Sequence, residues 1–422
     1  FWGGTYFPKE DNGQGIVPWP QLLMRISEHY RREKDELLEN AEGVIGNLEH
    51  SNYADCSTPS DWKNSLLLDA AKAICASHDD AQGGFSKPPK FPSPMKIEFL
   101  LAIGESHSVR SNPNLSERID FCVTQTVEAM ARGGLFDQVG GGFFRYVIDD
   151  KWEVPHFDKM LCDNALLLSC FSRAHRKKKS PLLRRTIEKT IDWLLREMGN
   201  PSTGFSSSLS ADSEGKEGGY YLWNSSELVR ILGKTQAGLL GSTRDEETKG
   251  DFLPSLSTTQ SFSPEVEECF AKLLHARKER KGVVSRDEKR ITAWNALLLK
   301  GLVDASIALQ RKEWLTMAVD LANWMKSKLL DQNGEISSIH YEGQDVFIPG
   351  FLDDYAFWAE ALLNLSSVSE WVLKDSSLSY IEDARNLASK VMVKFHDEKG
   401  AGYFFSSSSL ECPGPAKKKF WY

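Results

Sequence analysis

Three segments of the chain echo one another: DNALLL from Asp163, WNALLL from Trp294 and DYAFWAEALL from Asp354. The first two lie 131 residues apart and the last two 60 apart, close to two units and one unit of a common period. Glycine- and aromatic-rich stretches recur with them, as GLFDQVGGGFFRY, NPSTGFSSSLSADSEGKEGGYYLW, DQNGEISSIHYEGQDVFIPGF and DEKGAGYFF. A helix pair with its connection takes about this many residues, so the echo predicts stacked αα-hairpins. If such hairpins close into a ring, the loops at one end converge on a central cavity. The expected fold is mainly α, an (α/α)6 toroid of helical hairpins.

Periodicity along the chain agrees. Ile119, Cys122, Val123, Val127 and Met130 follow the 3-and-4 spacing of a buried helical stripe. Helices are expected near 61–78, 93–107, 115–132, 157–176, 181–199, 263–280, 291–310, 313–330, 352–366 and 376–396. A closed six-hairpin ring needs about twelve, so the toroid is expected to be incomplete at its C-terminus. Residues 2–8, WGGTYFP, read as a short strand, and 19–41 as an amphipathic helix with Leu22, Leu23, Ile26 and Tyr30 on one face. Polar and turn residues mark 42–60 as a linker, 61–405 carries the hairpins, and 406–422 reads as an irregular tail. The chain opens at Phe1 without methionine, as expected of a piece cut from something longer.

Composition narrows the functional classes. A net charge of −8 supplies no basic field for nucleic acid. The runs RKKK (176–179) and KKK (417–419) read as solvated helix ends or tails. No apolar run approaches the ~20 residues that span a bilayer. Seven cysteines, none in CxxC spacing, support neither a disulfide framework nor a zinc site, and their scatter fits a reducing compartment. DSEGKEGG lacks the alternating ligands and closing glutamate of a calcium loop. Glycines 140–142 are followed by no Lys-Ser/Thr, so they form no phosphate loop. Neither a cofactor nor a metal is expected, and the sequence leaves the oligomeric state open.

A family resemblance adds to this reading. GGTYFP, KFPSP, GGLFDQVGGGFFRY, WEVPHFDKMLCDNA, SLSADSEGKEGGYYLW, DEKRITAWN and FLDDYAF together closely resemble the spermatogenesis-associated, thioredoxin-like family. The resemblance runs to about residue 405. It implies an N-terminal thioredoxin-like domain, of which residues 1–41 would be the last strand and helix, joined to a six-hairpin (α/α) barrel. That barrel is similar to those of N-acylglucosamine 2-epimerases and certain glycosidases. The family's cysteine motif would lie upstream of this chain. Five positions depart from the family pattern: Phe144 replaces a histidine, Asp158 a glutamate, Cys162 a tyrosine, and Ser210 and Glu288 aspartates. Phe144 and Ser210 each remove a group able to move a proton or bind a hydroxyl.

The residues suited to chemistry gather in the predicted inner loops. His156, behind Pro155 and ahead of a helix, is either part of the helix entrance or a general acid/base in its natural titration range. His340, in SSIHYEG, is a possible second base, since proton removal and return at a sugar carbon takes one on each face. Otherwise it is a loop histidine in water. Asp212 and Glu214, with Asp163 and Asp354, are the carboxylates from which a glycosidase would draw its pair, ~5 Å or ~6.5–9.5 Å apart according to stereochemistry. Helix capping is the alternative for Asp163 and Asp354. Arg145 has a fork suited to a carboxylate, whether Asp149, Asp150 or an acidic substrate. Trp152, Asn164, Trp294, Asn295 and Tyr355 offer rings and amides to a small-molecule sugar, or else simply pack the helices. The reading is a carbohydrate-related protein, epimerase- or glycosidase-like, with His156, Asp212, His340 and Asp354 as catalytic candidates. A binding or scaffold module is the alternative, and thiol redox chemistry would depend on the upstream segment.

Overall fold

The computed structural model describes residues 8–10, 17–52, 64–244, 251–256, 263–280, 282, 284–344, 346–373, 378–397, 402–407 and 419–420. The chain divides into two compact units, residues 1–60 with 393–422, and residues 61–392. In the first, α1 (Trp19–Arg32) is followed by α2 (Lys34–Asn52), which runs through residues 42–52 where polarity predicts a linker. The expected strand of residues 2–8 lies, apart from Pro8, outside the described residues, as do residues 53–60 and most of the tail. Lys419–Phe420 of that tail pair antiparallel with Tyr403–Phe404.

The larger unit holds α3 (Asn64–Ala76), α4 (Pro94–Gly104), α5 (His107–Arg110), α6 (Pro113–Arg132), α7 (Leu161–Lys177), α8 (Pro181–Trp193), α9 (Ser225–Ala237), α10 (Pro264–Lys278), α11 (Thr292–Leu309), α12 (Lys312–Leu329) and α13 (Leu352–Leu373). It also holds most of α14 (Leu378–Lys394). Several starts are dictated locally. Asn112, Ser180 and Ser263 each stand before a proline and accept an N–H from the first turn, that of Leu115, Leu183 and Val266. The stripe Ile119–Met130 is buried as the spacing predicts, each large apolar side chain contributing about 1.5–3 kcal/mol.

Inner helices form a row. α4 packs on α7, α7 on α11 and α11 on α13, while α6, α8 and α12 lie behind them. The α7–α11 crossing is close: a Cβ on Gly301 would meet the Ala165 carbonyl oxygen at 2.9 Å, so only glycine fits there. This is the layered hairpin arrangement of an α/α toroid. Among the described residues the inner row has four members, where a closed ring of six hairpins has six.

The repeat extends to the backbone of the loops. Where each glycine-aromatic stretch follows an outer helix, one N–H bonds back to a carbonyl at that helix's end or within five residues past it: Phe144 to Leu135 (2.9 Å), Ser206 to Met198 (2.8 Å) and Ser337 to Leu329 (2.8 Å). Lys159–Met160, just before α7, pair with Ser208–Leu209, and Arg290–Ile291, just before α11, pair with Ile339–His340. The interval from Asp163 to Trp294 differs from its expected two units. Because α11 packs directly on α7, that interval is one step of the inner row plus a lateral pair, α9 and α10.

Candidate active site at the entrance of α7

The glycine-rich loop of residues 133–160 is built around a buried ion triad. The Asp137 carboxylate accepts from the backbone N–H groups of Val139 and Gly140, from Lys159 Nζ (2.8 Å) and from Arg277 Nη1 (2.7 Å). Burial alone would raise the Asp137 pKa, yet the two cations hold it far below the usual carboxylate range. Lys159 also donates to the Gly141 carbonyl (2.7 Å) and sits among the rings of Phe144, Trp193 and Tyr221. At Gly142, φ is +77° and a Cβ would run into the Trp193 indole, so glycine is required twice over. Phe144, where a polar loop group is expected from the family pattern, is fully buried against Phe157, Tyr221 and Lys159. It belongs to the core.

Beside this lock the loop presents titratable groups. Tyr146 and His156 are register partners in a two-residue ladder, with rings stacked 5.0 Å apart, and Phe91 stacks on Tyr146 at 4.8 Å. His156 Nδ1 is hydrogen-bonded to Asp158, and its Nε2 lies 3.6 Å from Glu217. The Asp158 carboxylate raises the His156 pKa; partial burial opposes this, and Glu217 assists. Arg145 reaches the other oxygen of Asp158 at 3.5 Å. Its fork therefore avoids Asp149, which instead accepts the N–H groups of Lys151, Glu153 and Val154. Asp163, in the first turn of α7, is near enough to Arg145 and Asp158 to feel both. Burial pushes it up to about 6, and among the described residues its Oδ2 has no hydrogen-bond partner. A histidine raised by a carboxylate and a carboxylic acid raised by burial thus stand at one helix entrance, linked through Asp158 and Arg145.

The remaining expected residues are engaged elsewhere. Trp152 is buried and donates its indole N–H to the Gln82 carbonyl at 3.0 Å. Asn164 and Asn295 are buried and bonded to the backbone of Phe143 and Phe205. Tyr355 accepts the Ile336 N–H and donates to Glu335. Trp294 is half-buried beside them. Asp354 accepts the N–H groups of Ala293 and Phe351 (both 2.9 Å), which is capping, and burial with neighbouring Asp353 pushes it up to about 7. His340 pairs with Arg290, lies edge-on to Trp324 and sits 3.7 Å from Glu342; burial lowers its pKa. Asp212 is exposed on a small hairpin opposite Glu217.

A cavity of about 570 Å³ between α12, α13 and α14 and one of about 610 Å³ beside α4, α6 and α7 are lined by none of His156, Asp212, His340 and Asp354. Sequence reasoning passes over the role of Asp158 and Glu217, although the His-x-Asp spacing that joins His156 to Asp158 is visible. It also passes over a charged network inside the inner row. Lys300 bonds Glu98 and Glu360, Arg173 bonds Glu98, and Ser169 donates to Asp304. The signal was present: Lys300 and Asp304 stand one turn apart in a helix with no other charged residue.

No family model matches the chain. Among curated proteins, spermatogenesis-associated protein 20 of Homo sapiens is 29% identical over 471 residues, covering 99% of this chain and 58% of its own length. The Rattus norvegicus protein of the same name is 30% identical, with the same coverage. The chain is similar over almost its whole length to spermatogenesis-associated protein 20. It spans 58% of the length of these relatives. An uncharacterized protein of Caenorhabditis elegans is 28% identical over 97% of the chain and 60% of its own length. Similar solved structures include a D-mannose isomerase (TM-score 0.48, 14% identity, 83% of this chain and 75% of that one). A cellobiose 2-epimerase from Spirochaeta thermophila has a TM-score of 0.35 at 14% identity, over 86% of this chain and 94% of that one.

Proposed function

We propose that the chain binds a carbohydrate at the entrance of α7 and moves a proton there. The observation that carries this reading is the His156–Asp158 dyad lying near Asp163, which feels the Asp158 charge and whose carboxyl burial raises to about 6. Two groups that titrate within reach of neutrality, one oriented by a carboxylate and one isolated by burial, suit reversible proton transfer. In this reading His156 and Asp163 share the acid and base roles, and Asp158 holds the imidazole. Arg145 binds a hydroxyl or carboxylate of the substrate. The Phe91–Tyr146 stack offers an apolar face suited to a pyranose ring. Asp354, bonded as a cap, Asp212, exposed on its hairpin, and His340, on the segment paired with Arg290–Ile291, drop to secondary candidates.

The test is proton exchange. Incubation with hexoses and N-acyl hexosamines in heavy water, read by NMR, is expected to show deuterium entering a sugar C–H position. His156→Ala should slow it at least ~100-fold, the usual loss for a general acid/base. Absence of exchange, together with absence of binding by calorimetry, defeats the proposal. A binding module without turnover is the second reading, favoured by the commitment of Asn164, Asn295 and Asp354 to backbone bonds. Binding that persists in His156→Ala with no exchange in either protein would support it.

A further inference from the structure

We propose that Cys75 and Cys122 form a reversible disulfide that staples α3 to α6 when a peroxide reaches them. The two helices pack together, both thiols are buried, and side-chain bonds on either side of them, Arg118 to the Cys75 carbonyl at 2.9 Å and His78 to Thr126 at 3.2 Å, hold Cys75 against the turn of α6 that carries Cys122. The pair stands where a staple would matter. Among the described residues of α3 only Ala71 and Cys75 are fully buried and Leu68 and Ile74 half-buried, while Leu66 and Leu67 are exposed, so few groups hold this helix to the body. Partial opening of α3 therefore gives a small oxidant access to Cys75.

Arg118, bonded at the backbone of Cys75, favours Cys75 as the attacking sulfur. Arg118, one turn before Cys122, donates to the Cys75 carbonyl at 2.9 Å and to Asp80 at 2.7 and 2.9 Å, which fixes its guanidinium beside the pair. The Cys122 thiol lowers the Cys75 pKa, burial opposes this, and Arg118 assists; Cys75 in turn raises Cys122. Cys162, Cys170 and Cys269 are all pushed up by burial and, among the described residues, have no such partner thiol.

The chemistry balances in two steps. The Cys75 thiolate attacks one oxygen of hydrogen peroxide, an S–O bond forms, the O–O bond breaks and hydroxide leaves to become water. Sulfur is oxidised to the sulfenic acid and peroxide is reduced. Cys122 sulfur then attacks Cys75 sulfur; the S–S bond forms, the S–O bond breaks, and the hydroxyl departs as water with the Cys122 proton. Two thiols and one peroxide yield one disulfide and two waters. A dithiol reverses the process by exchange.

Treatment of the native full chain with hydrogen peroxide, alkylation and non-reducing peptide mass spectrometry tests this directly. A peptide pair linked through Cys75 and Cys122 is expected, with the count of free thiols falling from seven to five. Tm should rise by roughly 5 °C and return with dithiothreitol. Cys122→Ser should leave Cys75 trapped as a sulfenic acid that dimedone labels. Retention of all seven thiols, or linkage of either cysteine to a different one, overturns the proposal. The map of the unmutated protein decides alone should the variant fail to fold.

Discussion

Asn164 and Asn295 make the same three hydrogen bonds in two successive hairpins. Each Oδ1 accepts the N–H of a buried phenylalanine, Phe143 at 2.6 Å and Phe205 at 2.9 Å. Each Nδ2 donates to the carbonyl of that phenylalanine, at 2.9 and 3.1 Å. Each also donates to a carbonyl four residues back, Met160 at 2.9 Å and Ile291 at 3.0 Å. In the third hairpin the neighbour of Asp354, Tyr355, binds the equivalent loop through the Ile336 N–H at 3.2 Å. The amide in the repeated motif is thus a clamp that joins an inner helix to its glycine-aromatic loop.

Removing a clamp should be costly, because a buried N–H and carbonyl lose their partners together. Asn164→Ala and Asn295→Ala are each expected to destabilise by about 2–4 kcal/mol. Urea unfolding of the two variants measures this. A loss below about 1 kcal/mol would show that the amides are dispensable.

The ion triad makes an asymmetric prediction. Asp137→Ala strands Lys159 and Arg277 without their shared anion and should cost about 3–5 kcal/mol. Lys159→Met keeps the Asp137–Arg277 pair and the packing among Phe144, Trp193 and Tyr221, so its cost should be smaller. Hydrogen exchange across residues 133–160 reads both, and the order of the two variants is the critical result.

Phe144→His would restore the residue type common in the family, yet it places an imidazole in a fully buried site 4.8 Å from the Lys159 ammonium. A loss of about 2–4 kcal/mol is expected, with no gain in sugar affinity. Thermal unfolding and calorimetry are the measurements. Tighter binding in a stable variant would contradict the placement of this ring in the core.

Asp163 gives stability a pH signature. Its native value of about 6 lies above the ordinary 3.8, so between these values the folded protein holds a proton that the unfolded chain has released. Its contribution is intact below about 3.8 and is lost as pH rises to about 6, by roughly 2–3 kcal/mol. Asp163→Asn should remove this slope and be the more stable protein at pH 7. His156, also raised, adds stability that is complete below its ordinary 6.5 and fades as pH climbs through its native value. Asp158→Asn should abolish that second loss. Denaturant titrations from pH 4 to pH 8 separate the two.

Hairpin identity and helix spacing were legible in the sequence, because they arise from residues a few positions apart. Backbone geometry turns such spacing into a buried stripe or a cap whatever the rest of the chain does. Three-dimensional packing decided the roles of those residues. One motif, repeated with Asp163 and Asp354 at its head, yields an isolated acid in the first hairpin and a bonded cap in the third. Phe144 and Trp152, which read as loop residues, are core because Lys159, Tyr221 and Gln82 close over them. Cys75 and Cys122, nearly fifty residues apart, meet only through the docking of α3 on α6. Burial and partnership depend on which distant segments arrive beside a residue. The charge state of Asp163, the raised pKa of His156 and the pairing of the thiols therefore belong to the tertiary structure alone.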